Sequence, residues 1–176
     1  MLAESEPPSG LWLPLVTPFR DGELDIVSLR RLVRHYAGQP IDGFILAATT
    51  GEGLTLDEVE LERLVTETAQ VLRENGASRP LYLGLAGADT RRMVAALKRT
   101  ASWPLDGYLI SSPYYSRPSQ RGLLQHFEAL AGSTARPILL YNIPARTGVH
   151  MDTATILRLA EHGNIVGIKD CATRTI

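Results

Sequence analysis

"NIVGIKD", residues 164–170, is an apolar run that ends in a lysine and an aspartate. It has the length of a short strand, and near-continuous apolarity is the mark of a parallel strand covered on both faces. Five runs of the same kind precede it: LWLPLV (11–16), GFILAA (43–48), PLYLGLA (80–86), DGYLIS (106–111) and PILLY (137–141). Between them lie stretches with apolar residues at helical spacing. Leu29, Leu32, Val33 and Tyr36 follow Asp25, a candidate N-cap. Leu61, Leu64, Val65, Thr68 and Leu72 follow Thr55 and Glu58, which have the spacing of a capping box. Met93, Val94 and Leu97 follow Asp89; Leu123, Leu124, Phe127 and Leu130 follow Ser119; Ile156, Leu157 and Ala160 follow Asp152. The order is βα, repeated, ending on a sixth strand.

Repeated βα units build either an open doubly wound sheet or a closed eight-stranded barrel. The regular repeat, without a dinucleotide fingerprint, favours the barrel. A whole barrel takes about 250 residues, and this chain has 176. The expected fold is therefore α/β, of the (β/α)8 TIM-barrel type, incomplete, with about six of eight βα units. Residues 1–10 read as a polar leader and 11–176 as the partial barrel, truncated after the sixth strand.

Composition narrows the function. Hydrophobic residues make up 44% and charged residues 21%, the balance of a globular protein. A net charge of −1 speaks against nucleic acid and membrane surfaces, which need a concentrated basic face. One cysteine forbids an internal disulfide and points to a reducing compartment, so a cytoplasmic location is expected. The four histidines lack metal-ligand spacing, and no apolar stretch reaches membrane-span length.

In a barrel, function gathers at the C-terminal ends of the strands. The segments there are ATTGEG (48–53), SSPYYSRPSQ (111–120), YNIPARTG (141–148) and GIKD (167–170). Alternation puts Lys169 on one face with Gly167 and Ile165, and Gly167 leaves room beside the lysine stem. An amine drawn out of water is more often neutral and nucleophilic, and a neutral amine attacks ketones to give Schiff bases. A lysine that merely snorkels at a strand end is the competing reading. Tyr141, Tyr114 and Tyr115 offer phenols for proton transfer, although a buried tyrosine more often only packs. Thr49, Thr50 and Gly51 offer hydroxyls and turn amides to a carboxylate. Arg146 offers a guanidinium for a second one.

In this order and spacing, LVTPF, ATTGEG, SPYYSRPSQ, YNIPARTG and GIKD closely resemble the dihydrodipicolinate synthase/N-acetylneuraminate lyase family of pyruvate-dependent class I aldolases, from about residue 11 onward. The resemblance implies that Lys169 forms a Schiff base with pyruvate and needs no other cofactor. It makes Tyr141 the proton relay above that lysine. Thr50 becomes the link to a second tyrosine, Tyr115, which reaches into a neighbouring subunit. Thr49 lies near the pyruvate carboxylate, Arg146 holds the carboxylate of the aldehyde substrate, and Gly51 and Gly148 occupy turns of the motifs. A homo-oligomer, dimer or tetramer, is implied as well.

Within the family, a Thr-Thr pair with Arg146 resembles the synthase pattern rather than that of sialic acid lyases. The implied reaction condenses pyruvate with aspartate-4-semialdehyde, toward diaminopimelate and lysine. The alternatives are a pyruvate-dependent lyase or aldolase on sialic or keto-deoxy sugar acids, and a truncated relative without catalysis. Lysine-inhibited synthases resemble one another in a histidine pair where this chain has Glu58 and Leu61, so weak lysine binding is expected.

Overall fold

The computed structural model describes residues 7–172. The proposed leader falls partly on residues 1–6, outside that range. Two compact units divide the chain: Ser9–Gly84 with Ser102–Gly107, and the remainder from Leu85 onward.

The first unit contains β1 (Trp12–Pro14), β2 (Phe19–Arg20), β3 (Glu23–Leu24), α1 (Ile26–Ala37), β4 (Gly43–Leu46), α2 (Glu58–Glu74) and β5 (Leu81–Leu85). β4 pairs in parallel with both β1 and β5. All four residues of β4 are buried, as its unbroken apolarity requires. α1 starts where Asp25 accepts the Ser28 N–H. Its Leu29 and Val33 are fully buried. α1 is also tied to α2 by Arg30, which reaches Glu67 at 2.7 Å and Glu74 at 2.7 Å. These contacts hold the Glu74 carboxyl below, and the Arg30 guanidinium above, their usual ranges.

Two local features differ from the sequence reading. The capping box of α2 uses Asp57 and Glu60, not Thr55 and Glu58. Thr55 instead donates its hydroxyl to the Glu52 carbonyl, inside the preceding turn. A small hairpin, β2–β3, was also not anticipated. Its turn is Asp21-Gly22, both with positive φ (55° and 84°), the pairing a tight antiparallel hairpin demands.

The second unit contains α3 (Thr90–Arg99), β6 (Gly107–Ser111), α4 (Gln120–Ala131), β7 (Ile138–Asn142), α5 (Pro144–Thr147), α6 (Thr153–Leu159) and β8 (Ile165–Asp170). β7 pairs in parallel with β6 on one side and β8 on the other. Asp89 and Ser119 cap α3 and α4 through their side chains. Asp152 stands at the N-cap of α6 but makes no side-chain cap bond. Gln120 serves instead, its amide oxygen accepting from the Asp152 N–H and the Thr155 hydroxyl. A part-buried contact joins α3 to α4: Thr90 Oγ1 lies 2.8 Å from His126 Nδ1. Burial pushes the His126 imidazole down to about 4.

β8 does not alternate along its whole length. Ile138 pairs with Ile165 but Leu139 pairs with Gly167, so Val166 is an extra residue. Such a bulge resets the side-chain faces. Lys169 therefore shares its face with Gly167, as expected, while Ile165 is shifted to the other face.

Candidate active site

The ends of β6, β7 and β8 form a row in register. Ser111 is opposite Tyr141, and Tyr141 is opposite Lys169. Register partners in a parallel sheet send their side chains to the same side, about 4.8 Å apart. The three side chains thus share one face. Lys169 Nζ sits 4.6 Å from the centroid of the Tyr141 ring, within cation–π range. Tyr141 is buried and Lys169 half-buried. Neither the Lys169 amine nor the Tyr141 hydroxyl has an ion-pair or hydrogen-bond partner among the described residues. The amine leans on an aromatic face and on no carboxylate, so an incoming carbonyl has no ion pair to break.

The nearest acid in the chain, Asp170, is held elsewhere. Successive strand residues point to opposite faces, and Asp170 Oδ1 accepts from Asn142 Nδ2 at 2.9 Å and from the Ala172 N–H at 2.9 Å. Asn142, fully buried at the end of β7, is a residue whose part the sequence reading missed.

Arg146 is exposed on α5, a single turn opened by Pro144 and closed by Gly148 in the left-handed conformation (φ 75°). Gly148 is favoured by its backbone conformation, with a close side-chain neighbour beside it. Its φ suits glycine, and a Cβ there would stand 2.8 Å from Arg117 Nε. Tyr115, on the loop after β6, is 93% exposed and adopts a left-handed φ of 69°, unusual for an aromatic residue. Its N–H donates to the Thr147 carbonyl, which ties the Tyr115 loop to the Arg146 turn. Gln120, from the end of the SRPSQ stretch, adds a second tie by donating to the His150 carbonyl at 2.8 Å. Ser112, directly after β6, is buried with its hydroxyl unpartnered.

Thr49, Thr50 and Gly51 follow β4 in the first unit. Both threonines are exposed, and Gly51 is buried, its carbonyl accepting from Thr17 Oγ1 at 2.7 Å. Each sequence-predicted residue thus stands at or just after the C-terminal end of a strand. Lys169 and Tyr141 are in direct contact; Tyr115 and the Arg146 turn are joined through the backbone. No group of three or more His, Cys, Asp or Glu with the geometry to hold a metal occurs among the described residues. No helix among them is long and apolar enough to cross a membrane.

Comparison with known proteins gives one consistent result. The sequence profile of the Dihydrodipicolinate synthetase family matches residues 7–175. The chain is 42% identical over 161 residues to 4-hydroxy-tetrahydrodipicolinate synthase 2 of Clostridium acetobutylicum, covering 92% of this chain and 55% of that one. It superposes on the 4-hydroxy-tetrahydrodipicolinate synthase of Methylacidiphilum fumariolicum SolV with a TM-score of 0.87 at 40% identity, covering 94% of this chain and 54% of that one. The Acinetobacter baumannii dihydrodipicolinate synthase solved with pyruvate gives a TM-score of 0.86 at 37% identity, covering 92% and 55%. The chain spans about half the length of the relatives it matches. Its fold is the expected one: α/β, of the (β/α)8 type, with six of the eight βα units.

Proposed function

The chain belongs to the dihydrodipicolinate synthetase family, and from that premise we propose that Lys169 is the Schiff-base amine of a pyruvate-dependent aldolase of the 4-hydroxy-tetrahydrodipicolinate synthase type. The observation that carries this reading is the contact between Lys169 and Tyr141: an amine with no ion pair, 4.6 Å from the face of a buried phenol.

The neutral amine adds to the ketone carbon of pyruvate, and the former carbonyl oxygen leaves as water, which gives a C=N bond to Lys169. Loss of a methyl proton converts this imine to an enamine, whose carbon attacks the aldehyde of aspartate-4-semialdehyde. The acceptor's own amine then adds to the imine carbon, closes the ring and releases Lys169. Tyr141 carries protons to and from the reacting oxygens. Thr49 and Gly51 take the pyruvate carboxylate in this proposal, Thr50 serves as the link from Tyr141 to Tyr115 in the proton path, and Arg146 takes the carboxylate of the aldehyde acid. Tyr115, whose side chain is exposed, acts across a subunit contact in a homo-oligomer. No cofactor enters any step. The product serves lysine and diaminopimelate synthesis, a cytoplasmic role.

The deciding experiment is reduction with borohydride in the presence of pyruvate, read by peptide mass. The expected adduct is on Lys169 and is absent in Lys169→Ala. An adduct that persists in that variant assigns the chemistry to another amine and ends the proposal. Faster cleavage of sialic or keto-deoxy sugar acids than condensation with the semialdehyde moves the chain to the lyase reading.

A further inference from the structure

Asn142 has no exposed surface, and a buried amide left unsatisfied costs about 1–3 kcal/mol. Here both ends of the side-chain amide and the residue's own carbonyl are bonded. Its Nδ2 donates to Asp170 Oδ1 at 2.9 Å and lies 3.2 Å from His150 Nδ1. Its Oδ1 accepts from the Met151 N–H at 3.1 Å. Its carbonyl accepts from the Cys171 N–H at 2.8 Å.

The partners fall into two sets. Asp170 and Cys171 immediately follow Lys169 on β8. His150 and Met151 follow the turn that carries Arg146 and is closed by Gly148. β8 has β7 as its single partner strand among the described residues. The lysine end of the strand is therefore held from one side, and the last contacts on that side belong to Asn142. The amide also occupies the Asp170 carboxylate, the acid nearest in sequence to the Lys169 amine.

We infer that Asn142 is a positioning residue: through Asp170 and Cys171 it keeps Lys169 over Tyr141, and through His150 and Met151 it fixes the turn bearing Arg146. Aspartate cannot replace it, because two carboxylate oxygens would then face each other at the distance of the present hydrogen bond. The inference rests on the reading of Lys169 as the Schiff-base amine.

The test is a reciprocal swap, made in the full chain with pyruvate and borohydride as the probe. In Asn142→Asp the maximal trapping rate on Lys169 falls by about a hundredfold, the order of loss expected from a misplaced reacting group. The pyruvate concentration for half-maximal trapping changes little, a split that general loss of folded protein does not produce. Amide hydrogen exchange at Met151 and Cys171 accelerates. The double variant Asn142→Asp with Asp170→Asn reverses donor and acceptor across the same contact and restores most of both losses. Trapping at the unaltered rate in a folded Asn142→Asp protein overturns the inference, as does a double variant no better than the single one. Where Asn142→Asp does not fold, Asp170→Ala removes the same tie from an exposed position, and unimpaired trapping there overturns it too. An unaltered chain that forms no adduct refutes the Schiff-base reading instead. The positioning claim is then decided by exchange alone, and unchanged protection of Met151 and Cys171 in the variants ends it.

Discussion

Lys169 and Tyr141 are register partners on β8 and β7, and the lysine Nζ stands 4.6 Å from the tyrosine ring centroid. The ring and the hydroxyl of Tyr141 therefore do separable things: one supports the amine, the other is free to move protons. Tyr141→Phe keeps the ring and removes the hydroxyl. Pyruvate should still be trapped on Lys169, at a rate lowered by about 10²–10⁴-fold, the range of a lost general acid–base. Rapid-quench trapping followed by mass analysis measures it, and an unchanged rate removes Tyr141 from the proton path.

Arg146 lies exposed on a four-residue helical turn, so its truncation should cost little stability. A guanidinium–carboxylate contact is worth about 1.5–3 kcal/mol, so Arg146→Ala should weaken use of aspartate-4-semialdehyde by roughly ten- to a hundredfold while leaving the pyruvate adduct intact. Parallel assays of trapping and condensation separate the two. Equal loss in both would assign Arg146 to pyruvate instead.

His126 predicts an acid-side loss of stability. Burial holds its folded-state pKa at about 4, against 6.5 for the free side chain. Below about pH 6.5 the unfolded chain takes up a proton that the folded protein refuses until about pH 4. Stability is thus full above that window and declines as pH falls through it, by on the order of 3 kcal/mol in total. In a His126→Gln variant the thermal midpoint should lose this part of its pH dependence. An identical slope between pH 6.5 and 4 in both proteins would show that the imidazole is not its source.

Glu58 and Leu61, near the start of α2, stand where lysine-sensitive relatives are expected to carry histidines. Titration calorimetry should show no tight lysine site. Stoichiometric binding at micromolar lysine would mean that other residues build one.

The sequence made the strands legible because each is apolar nearly throughout, as burial on both faces requires. It made Lys169 and Tyr141 legible as candidates because strand ends interrupt that apolarity, and Arg146 because it is a guanidinium in the turn that follows one of them. What escaped was geometry that composition does not encode. The Val166 bulge moves Ile165 to the other face without any sequence mark except the adjacent Gly167. The hairpin at Asp21-Gly22 is flanked by strands of two residues each, too short to alternate. Two overlapping capping patterns precede α2, and Thr55 lost to Asp57 because its hydroxyl is used within the turn before it. Asn142 is one letter of YNIPARTG, and its bond to Asp170 crosses 28 positions of chain. The relation between Ser111 and Tyr141 likewise exists only once β6 and β7 are in register.

The final prediction concerns association. β8 ends the strand order of the second unit, and β1 that of the first; each has a single partner strand among the described residues. An unpaired strand edge offers backbone donors and acceptors to any other chain. Tyr115 adds a second opportunity, since a large aromatic side chain at 93% exposure and a left-handed φ of 69° bears a strain of about 1–3 kcal/mol with no compensating burial in its own chain. The protein should therefore self-associate at micromolar concentration, and sedimentation velocity should find species larger than one chain. Tyr115→Ala distinguishes the two routes. If the tyrosine face carries the contact, the variant dissociates to single chains. If the strand edges carry it, the variant stays associated and the protection of β8 amides from hydrogen exchange rises with protein concentration. A compact monomer across that concentration range would rule out both routes, and with them the proposed contribution of Tyr115 to a neighbouring site.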